Sequence, residues 1–254
     1  MAAKVALVAL VVAASTLPAQ APKDGRALLE RMRAAYVGKW FKTVTFTQQT
    51  IRTRNGVTDT TTWYEALLTP DRLRIDIGDP KNGNGVIYTA DSLYVVREGV
   101  VTRSLANGNP FLPFVAGVYA QPIDTTLRQI APYKFDLTRL RSDTWEHRPV
   151  YVVGSSAPGD TTSPQLWVDK ERLVLVRMIA AFNPAQPAEV EDVWLMDYRP
   201  LSGGWLAVKV DIKRGGEIIQ REVYSDWRGH VDLPPHFFVA AKWSGGALMR
   251  PGRG

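Results

Sequence analysis

Apolar and polar residues alternate along most of this chain, as they do in strands that bury one face. In "RLRIDI", Leu73, Ile75 and Ile77 alternate with Arg72, Arg74 and Asp76, which is the period of a strand with one dry and one wet face. Similar patterns predict short strands in "GVIYTA", "SLYVVR" and "VVTRS", and in seven further stretches between residues 133 and 227. The sequence therefore predicts a mainly β fold.

Tight turns join many of these strands, and three short helices interrupt them. Asn55-Gly56 lies between two Thr-rich and aromatic-rich runs, which predicts an antiparallel hairpin. Apolar residues at helical spacing predict an amphipathic helix in "DGRALLERMRAAYVGKW", with Asp24 as its N-cap. Two more short helices are expected in "NPFLPFVAGVYAQPIDTTLRQIAPY".

The order of elements predicts a large antiparallel sheet or open barrel. The internal helical pair is unusual for such a sheet, because its first member is apolar over most of its surface. A helix of that kind is either buried in an ordinary core or covers an apolar ligand. Composition alone favours neither.

The N-terminal residues have the features of an export signal. One lysine, Lys4, precedes an apolar run from Val5 to Ala14, which is the pattern of a cleaved secretory signal peptide. Cleavage is expected after Ala19 or Ala21. We therefore expect a signal over 1–21, one domain over 22–240 and a flexible tail over 241–254.

The composition provides few of the residues that catalytic sites commonly use. The chain has no cysteine, and its three histidines are far apart, with no metalloprotease, nucleophile-elbow or phosphate-loop motif. Its basic residues form no run, and export argues against nucleic acid as a partner. Glu189 and Glu191 would share a solvated strand face rather than act as an acid and base pair. We therefore expect no catalysis, metal or cofactor.

The order of several short stretches resembles one known family. "ALLERM", "VTFTQQ" with Phe46 and Gln48, "YEALLTPDRLRIDI", "GVIYTADSLYVV", "NPFLPFVAGVY", "LWVDKERLVLVRM" and "DLPPHFF" follow one another as in the periplasmic lipoprotein carriers and lipoprotein-sorting proteins of the LolA-like family. The resemblance covers nearly all of the chain after the signal. It implies an open, half-closed antiparallel barrel of about eleven strands with helices over its concave face.

The resemblance also implies a function and a site. Family members shelter acyl chains in the apolar concavity beneath a helical lid, so we expect a soluble, monomeric periplasmic carrier of lipid or lipoprotein. An inner-membrane donor and an outer-membrane acceptor would be its partners. By position in the family, the residues expected to bind the ligand are Phe46, Trp63, Leu67, Leu73, Ile75, Phe111, Phe114 and Val118.

Two points stay open at the level of sequence. Alternation allows either Tyr64, Ala66 and Leu68 or Trp63 and Leu67 to face inward. The family resemblance favours Trp63 and Leu67. Family carriers place a lid-latching arginine before the matching proline, whereas this chain has Thr69 there. A threonine lacks the several N–H donors that the arginine guanidinium offers.

An envelope sensor or structural protein that binds a protein partner on the same fold is the alternative function.

Overall fold

A computed structural model describes residues 20–183 and 185–243. The described residues form one open antiparallel sheet of thirteen strands and a separate two-stranded ribbon. The strands are β1 Thr43–Arg54, β2 Val57–Leu68, β3 Arg72–Ile77, β4 Gly85–Tyr88, β5 Leu93–Arg97, β6 Val100–Leu105, β7 Leu140–Trp145, β8 Arg148–Val153, β9 Gln165–Asp169, β10 Leu175–Ala180, β11 Glu191–Met196, β12 Arg199–Leu201, β13 Gly204–Leu206, β14 Lys209–Arg214 and β15 Glu217–Gly229.

The sheet is built from two meanders that meet in its middle. Its strand order is β6-β5-β4-β3-β2-β1-β15-β14-β11-β10-β9-β8-β7, and β12 pairs with β13 outside it. The first and last strands, β1 and β15, are therefore neighbours, and β6 and β7 are the two edges. The expected open half-barrel is confirmed, with thirteen strands in the described part instead of eleven.

Helices lie between the two edge strands and before β1. Helix α1 covers Gly25–Tyr36, and Oδ1 of Asp24 accepts a hydrogen bond from the backbone N–H of Ala27 at 2.7 Å, as an N-cap does. After β6, a π-helical turn at Pro113–Gly117 runs into α2, Val118–Ala120, and then α3 covers Ile123–Ile130. Short 3-10 turns occur at Pro80–Asn82, Ala131–Tyr133, Pro235–Phe238 and Ala240–Lys242.

The predicted hairpin between β1 and β2 is present. Arg54 pairs with Val57, and Asn55 and Gly56 have φ values of 51° and 75°. Two successive residues at positive φ match the twist of the flanking strands, and asparagine and glycine accept that conformation best. The hairpin fixes the register of β1 and β2, and hence which side chains share the concave face.

The wet face predicted for β3 is present only at Arg72, which is exposed. It is wrong at Arg74 and Asp76, which are fully buried, while Leu73 and Ile75 are buried on the opposite face. The reason is the C-terminal segment, whose Phe237 and Trp243 rings lie 4.1 and 3.9 Å from the Arg74 guanidinium carbon. Nε and Nη2 of Arg74 donate to the Asp76 carboxylate at 2.9 and 3.0 Å. Both faces of the strand are therefore buried between Leu73 and Asp76.

The predicted division into 1–21, 22–240 and 241–254 stays a prediction. The signal sequence up to Ala19 and the tail from residue 244 lie outside the described residues. Trp243 lies past the predicted limit of the domain, and its ring stacks on the Arg74 guanidinium.

Candidate ligand-binding cavity

A cavity of about 320 Å³ lies between the concave face of the sheet and the helical crossover. That volume is near the lower end of the range for small-molecule sites, about 300–1,000 Å³. The side chains around it are predominantly apolar or aromatic. The apolar and aromatic members are Trp40, Phe41, Val44, Phe46, Trp63, Leu67, Leu73, Ile75, Tyr88, Pro110, Phe111, Leu112, Phe114, Val115, Tyr119, Val174, Leu175, Leu195, Tyr198, Trp205, Leu206, Ala207, Val210, Ile212 and Tyr224.

One wall of the cavity is the helical segment 111–120, which we call the lid segment. It begins where Oδ1 of Asn109 accepts hydrogen bonds from the backbone N–H groups of Phe111 and Leu112 at 2.8 and 3.3 Å. Tyr119 anchors its other end, since its hydroxyl donates to the carbonyl of Leu173 at 2.9 Å. Hydrogen bonds at its two ends and apolar packing thus hold the lid segment against the rest of the domain.

Aromatic stacking joins the lid segment to the region before β1. The rings of Trp40 and Tyr119 are stacked with centroids 3.7 Å apart, and Tyr36 meets both edge-on at 4.9 and 5.3 Å. Aromatic pairs of this kind add about 0.5–1.5 kcal/mol beyond their buried area. This cluster closes the apolar end of the cavity.

Strand register supplies the opposite wall. Phe46 pairs with Glu65 and Glu65 with Ile75, while Val44 pairs with Leu67 and Leu67 with Leu73. Directly opposed residues point to the same face of a sheet, so all six face the cavity. The alternate set, Tyr64, Ala66 and Leu68, packs with Phe237 and Phe238 on the convex side.

The cavity becomes polar toward the hairpin end of β1 and β2, where Gln48, Arg52, Gln220 and Glu222 join its wall. The two Glu222 oxygens accept hydrogen bonds from Gln220 Nε2 at 2.5 Å and from the Tyr224 hydroxyl at 2.7 Å. Nε of Arg52 donates to Oε1 of Gln220 at 2.7 Å, and its guanidinium lies 4.9 Å from the Trp63 ring. This end is a connected network around one carboxylate and one guanidinium.

Glu65 sits between the apolar and polar parts of the wall with only 4% of its surface exposed. No hydrogen bond to its carboxyl group is present among the described residues. Burial, followed by the nearby Glu222 charge, raises the pKa of Glu65 well above its usual range. Burial also raises the pKa of Glu222, against the hydrogen bonds from Tyr224 and Gln220.

The structure places most of the predicted ligand-binding residues on this cavity. Those that line it are Phe46, Trp63, Leu67, Leu73, Ile75, Phe111 and Phe114. Val118 is fully buried and belongs to the core cluster rather than to the lining. Their role as ligand contacts remains a prediction.

Thr69, the predicted latch position, does not line the cavity. Its hydroxyl donates to the carbonyl of Phe41 at 2.9 Å, and its backbone N–H donates to the carbonyl of Lys42 at 2.8 Å. These bonds hold the end of β2 against the segment before β1, which carries Trp40 beneath Tyr119 of the lid segment. Thr69 is therefore connected to the lid segment only indirectly, through the segment that carries Trp40.

Sequence reasoning missed the polar members of the cavity. Glu65, Arg52 and Glu222 were not among the predicted residues, and neither were Trp40 and Tyr119. The signal for Glu65 was its position inside the apolar run "WYEALL", where a carboxyl group has to lie on one of two buried faces. In the described part of the chain, no cluster of His, Asp or Glu could hold a metal ion, and no helix has the length and hydropathy to cross a membrane.

Comparison with known proteins gives structural neighbours at low sequence identity. No protein-family model matches the sequence, and no curated protein matches it significantly. A DUF1329 family protein from Desulfovibrio piger superposes with a TM-score of 0.61 at 14% identity, over 87% of this chain and 98% of that chain.

Two further neighbours carry names from lipoprotein sorting. An outer membrane lipoprotein-sorting protein domain from Vibrio parahaemolyticus has a TM-score of 0.58 at 12% identity, over 85% of this chain and 96% of that chain. A LolA superfamily protein from Nitrosomonas europaea has a TM-score of 0.52 at 14% identity, over 85% and 97%. The fold implied by the sequence resemblance is thereby confirmed, and the chain has a LolA-like fold.

Proposed function

We propose that this chain is a non-catalytic periplasmic carrier that shelters the acyl chains of a lipid or lipoprotein in its cavity. The observation that carries the proposal is the cavity of about 320 Å³ beneath an apolar lid segment. Each buried methylene contributes about 0.8 kcal/mol, so an acyl chain can bind here without a specific polar contact.

The cellular setting is part of the same proposal. The export signal predicted from Lys4 and the run Val5 to Ala14 supports a periplasmic location, as does the lipoprotein-sorting name of one structural neighbour. A carrier of this kind receives its cargo from a donor at the inner membrane and delivers it to an acceptor at the outer membrane. The lid segment would open at both steps.

Ile75→Glu tests whether the cavity binds acyl chains. Ile75 lines the cavity directly opposite Glu65 in the ladder of β2 and β3, so the new carboxyl group would stand where an acyl chain lies. Displacing that chain or leaving a polar group without a partner costs binding energy. We expect acyl-chain affinity, measured with a fluorescent fatty-acyl probe, to fall about tenfold or more.

Ile218→Glu is the matched control, because Ile218 is 37% exposed and lies outside the cavity. It should leave both probe affinity and thermal stability close to those of the parent protein. Native mass spectrometry of the parent, purified from envelope extracts, should show bound lipid. If the parent carries and binds no acyl chain, and Ile75→Glu only unfolds the protein, Ile75 is ordinary core and the alternative role with a protein partner is favoured.

A further inference from the structure

The wall of the cavity contains hydrogen-bonding groups that the protein itself does not use. Glu65 has no hydrogen bond among the described residues, although it is almost completely buried. Nε1 of Trp63, two residues earlier on the same face of β2, is also buried without a partner, and so is Nε1 of Trp40. Buried polar groups are almost always hydrogen-bonded, so this set calls for an explanation.

Glu222, on the wall of the same cavity, is a carboxylate that has hydrogen-bond partners within the protein. Both Glu222 oxygens accept hydrogen bonds, from Gln220 and Tyr224. Arg52, the nearby cation, directs its Nε to Gln220. Nothing comparable surrounds Glu65 in the described part of the chain. The wall thus provides a complete set of partners for Glu222 and leaves Glu65 directed at the cavity.

An isolated buried carboxylate is far less stable than its protonated form. The other titratable groups on the cavity wall are Arg52, Tyr88, Tyr119, Tyr198, Glu222 and Tyr224. Of these, the Glu222 charge acts on Glu65 and disfavours a second negative charge. Burial and the Glu222 charge therefore favour the protonated form of Glu65, in which the carboxyl group carries an O–H donor.

We propose that the Glu65 carboxyl group, in its protonated form, is a recognition site for the carbonyl oxygen of an acyl ester or amide. The apolar end of the cavity would hold the hydrocarbon chain, and the Glu65 O–H group would donate to the carbonyl group at its head. The cavity then prefers acylated ligands to alkanes or alkyl amines of equal length. This inference rests on the proposed function, since it names the ligand class of the same cavity.

The test compares matched ligands on matched variants. Methyl dodecanoate, tridecane and dodecylamine would each displace a fluorescent acyl probe from the parent protein and from Glu65→Gln and Glu65→Leu. One hydrogen bond corresponds to roughly a threefold to tenfold change in affinity. The parent should prefer the ester to the alkane by that factor. Glu65→Gln, which keeps a neutral donor, should retain the preference, while Glu65→Leu should weaken it.

Two readouts separate recognition from a general effect on folding. Ester affinity of the parent should decrease as pH rises through the raised pKa of Glu65, because ionisation removes the O–H donor, and Glu65→Gln should lack this dependence. The infrared band of a carbon-13-labelled ester carbonyl should lie at lower frequency in the parent than in Glu65→Leu. Neither readout responds to a loss of packing alone.

Specific results would overturn the proposal. If dodecylamine binds more tightly than the ester and Glu65→Gln removes that advantage, Glu65 is an ionised receptor for a cation. If the ester and the alkane bind equally in the parent, Glu65 does not recognise the carbonyl group, while acyl binding that is sensitive to Ile75→Glu would still support the carrier. If no ligand displaces the probe, both proposals fail.

Discussion

Asp76→Ala should destabilise the protein strongly, and more than Asp124→Ala, which removes an exposed ion-pair partner. The Arg74 and Asp76 side chains are both 0% exposed, and two parallel hydrogen bonds join them. Arg74 also donates from Nη1 to the carbonyl of Phe237 at 3.2 Å. Asp76→Ala leaves the guanidinium buried beneath Phe237 and Trp243 without its carboxylate.

The expected magnitude follows from the burial of the pair. Removing one partner of a fully buried ion pair costs about 3–5 kcal/mol, because the remaining charge stays buried without the opposite charge of that partner. In a domain of this size, each kcal/mol lowers the melting temperature by about 2–4 °C. We therefore expect Asp76→Ala to lower it by roughly 6–20 °C.

The paired replacement Arg74→Met with Asp76→Leu should behave differently. Burial outweighs the Arg74 hydrogen bonds and raises the pKa of Asp76, so the desolvation cost of the pair is not fully recovered. Replacing both partners with apolar side chains of similar size should then be close to neutral, or stabilising by about 1–4 kcal/mol. The pair would act as a device for seating the C-terminal segment on β3 rather than as a source of stability.

Thermal and urea unfolding followed by circular dichroism would measure these differences. Asp124→Ala is the control, because its ion pair with Arg26 is 69% and 48% exposed on the two side chains and should contribute about 0–1 kcal/mol. The reasoning fails if Asp76→Ala is no more damaging than Asp124→Ala. It also fails if the double replacement is as unstable as Asp76→Ala.

Two further predictions concern the lid segment and a surface loop. Thr69→Arg should add a donor near the lid segment, slow amide hydrogen exchange over 113–120 and weaken acyl-chain affinity; if neither quantity changes, Thr69 has no latch role. Asp160 accepts hydrogen bonds from the Ser155 hydroxyl at 2.7 Å and from the backbone N–H groups of Thr162 and Ser163 at 2.9 and 3.1 Å, and these bonds hold its pKa well below the usual range. Asp160→Ala should therefore cost about 1 kcal/mol at neutral pH. Its difference from the parent in urea unfolding should shrink as pH falls below the usual aspartate pKa, because Asp160 takes up a proton there in the unfolded chain while the bonded carboxylate of the folded protein stays ionised; a constant difference down to strong acid would contradict this.

Local patterns in the sequence predicted the elements but not what covers them. Asn55-Gly56 was sufficient for the first hairpin, because the turn conformation depends on those two residues alone. Alternation correctly separated Leu73 and Ile75 from Arg74 and Asp76. It could not show that the second set is buried too, because the segment with Phe237 and Trp243 that covers it lies far away in the chain.

The same difficulty affected the cavity. With both faces of β2 buried, alternation could not distinguish Trp63 and Leu67 from Tyr64, Ala66 and Leu68, and the family resemblance decided in favour of the set that lines the cavity. The family resemblance placed Val118 with Phe114 among the ligand-binding residues of the lid. The lid segment is π-helical over Pro113–Gly117, so residues four apart no longer share a face, and Val118 points into the core instead.

The two free edges of the sheet have a consequence for how large a cargo fits. In a closed barrel, the number of strands and their stagger determine the radius. Here β6 and β7 are not paired with each other, so the curvature of the sheet depends instead on the helices packed across it and on the pairing of β1 with β15. Interior volume can therefore change through small rotations between neighbouring strands, without breaking a ladder hydrogen bond. A sheet of this kind can adjust its capacity to its contents, and under the proposed function acyl chains of different length and number would share a single binding site.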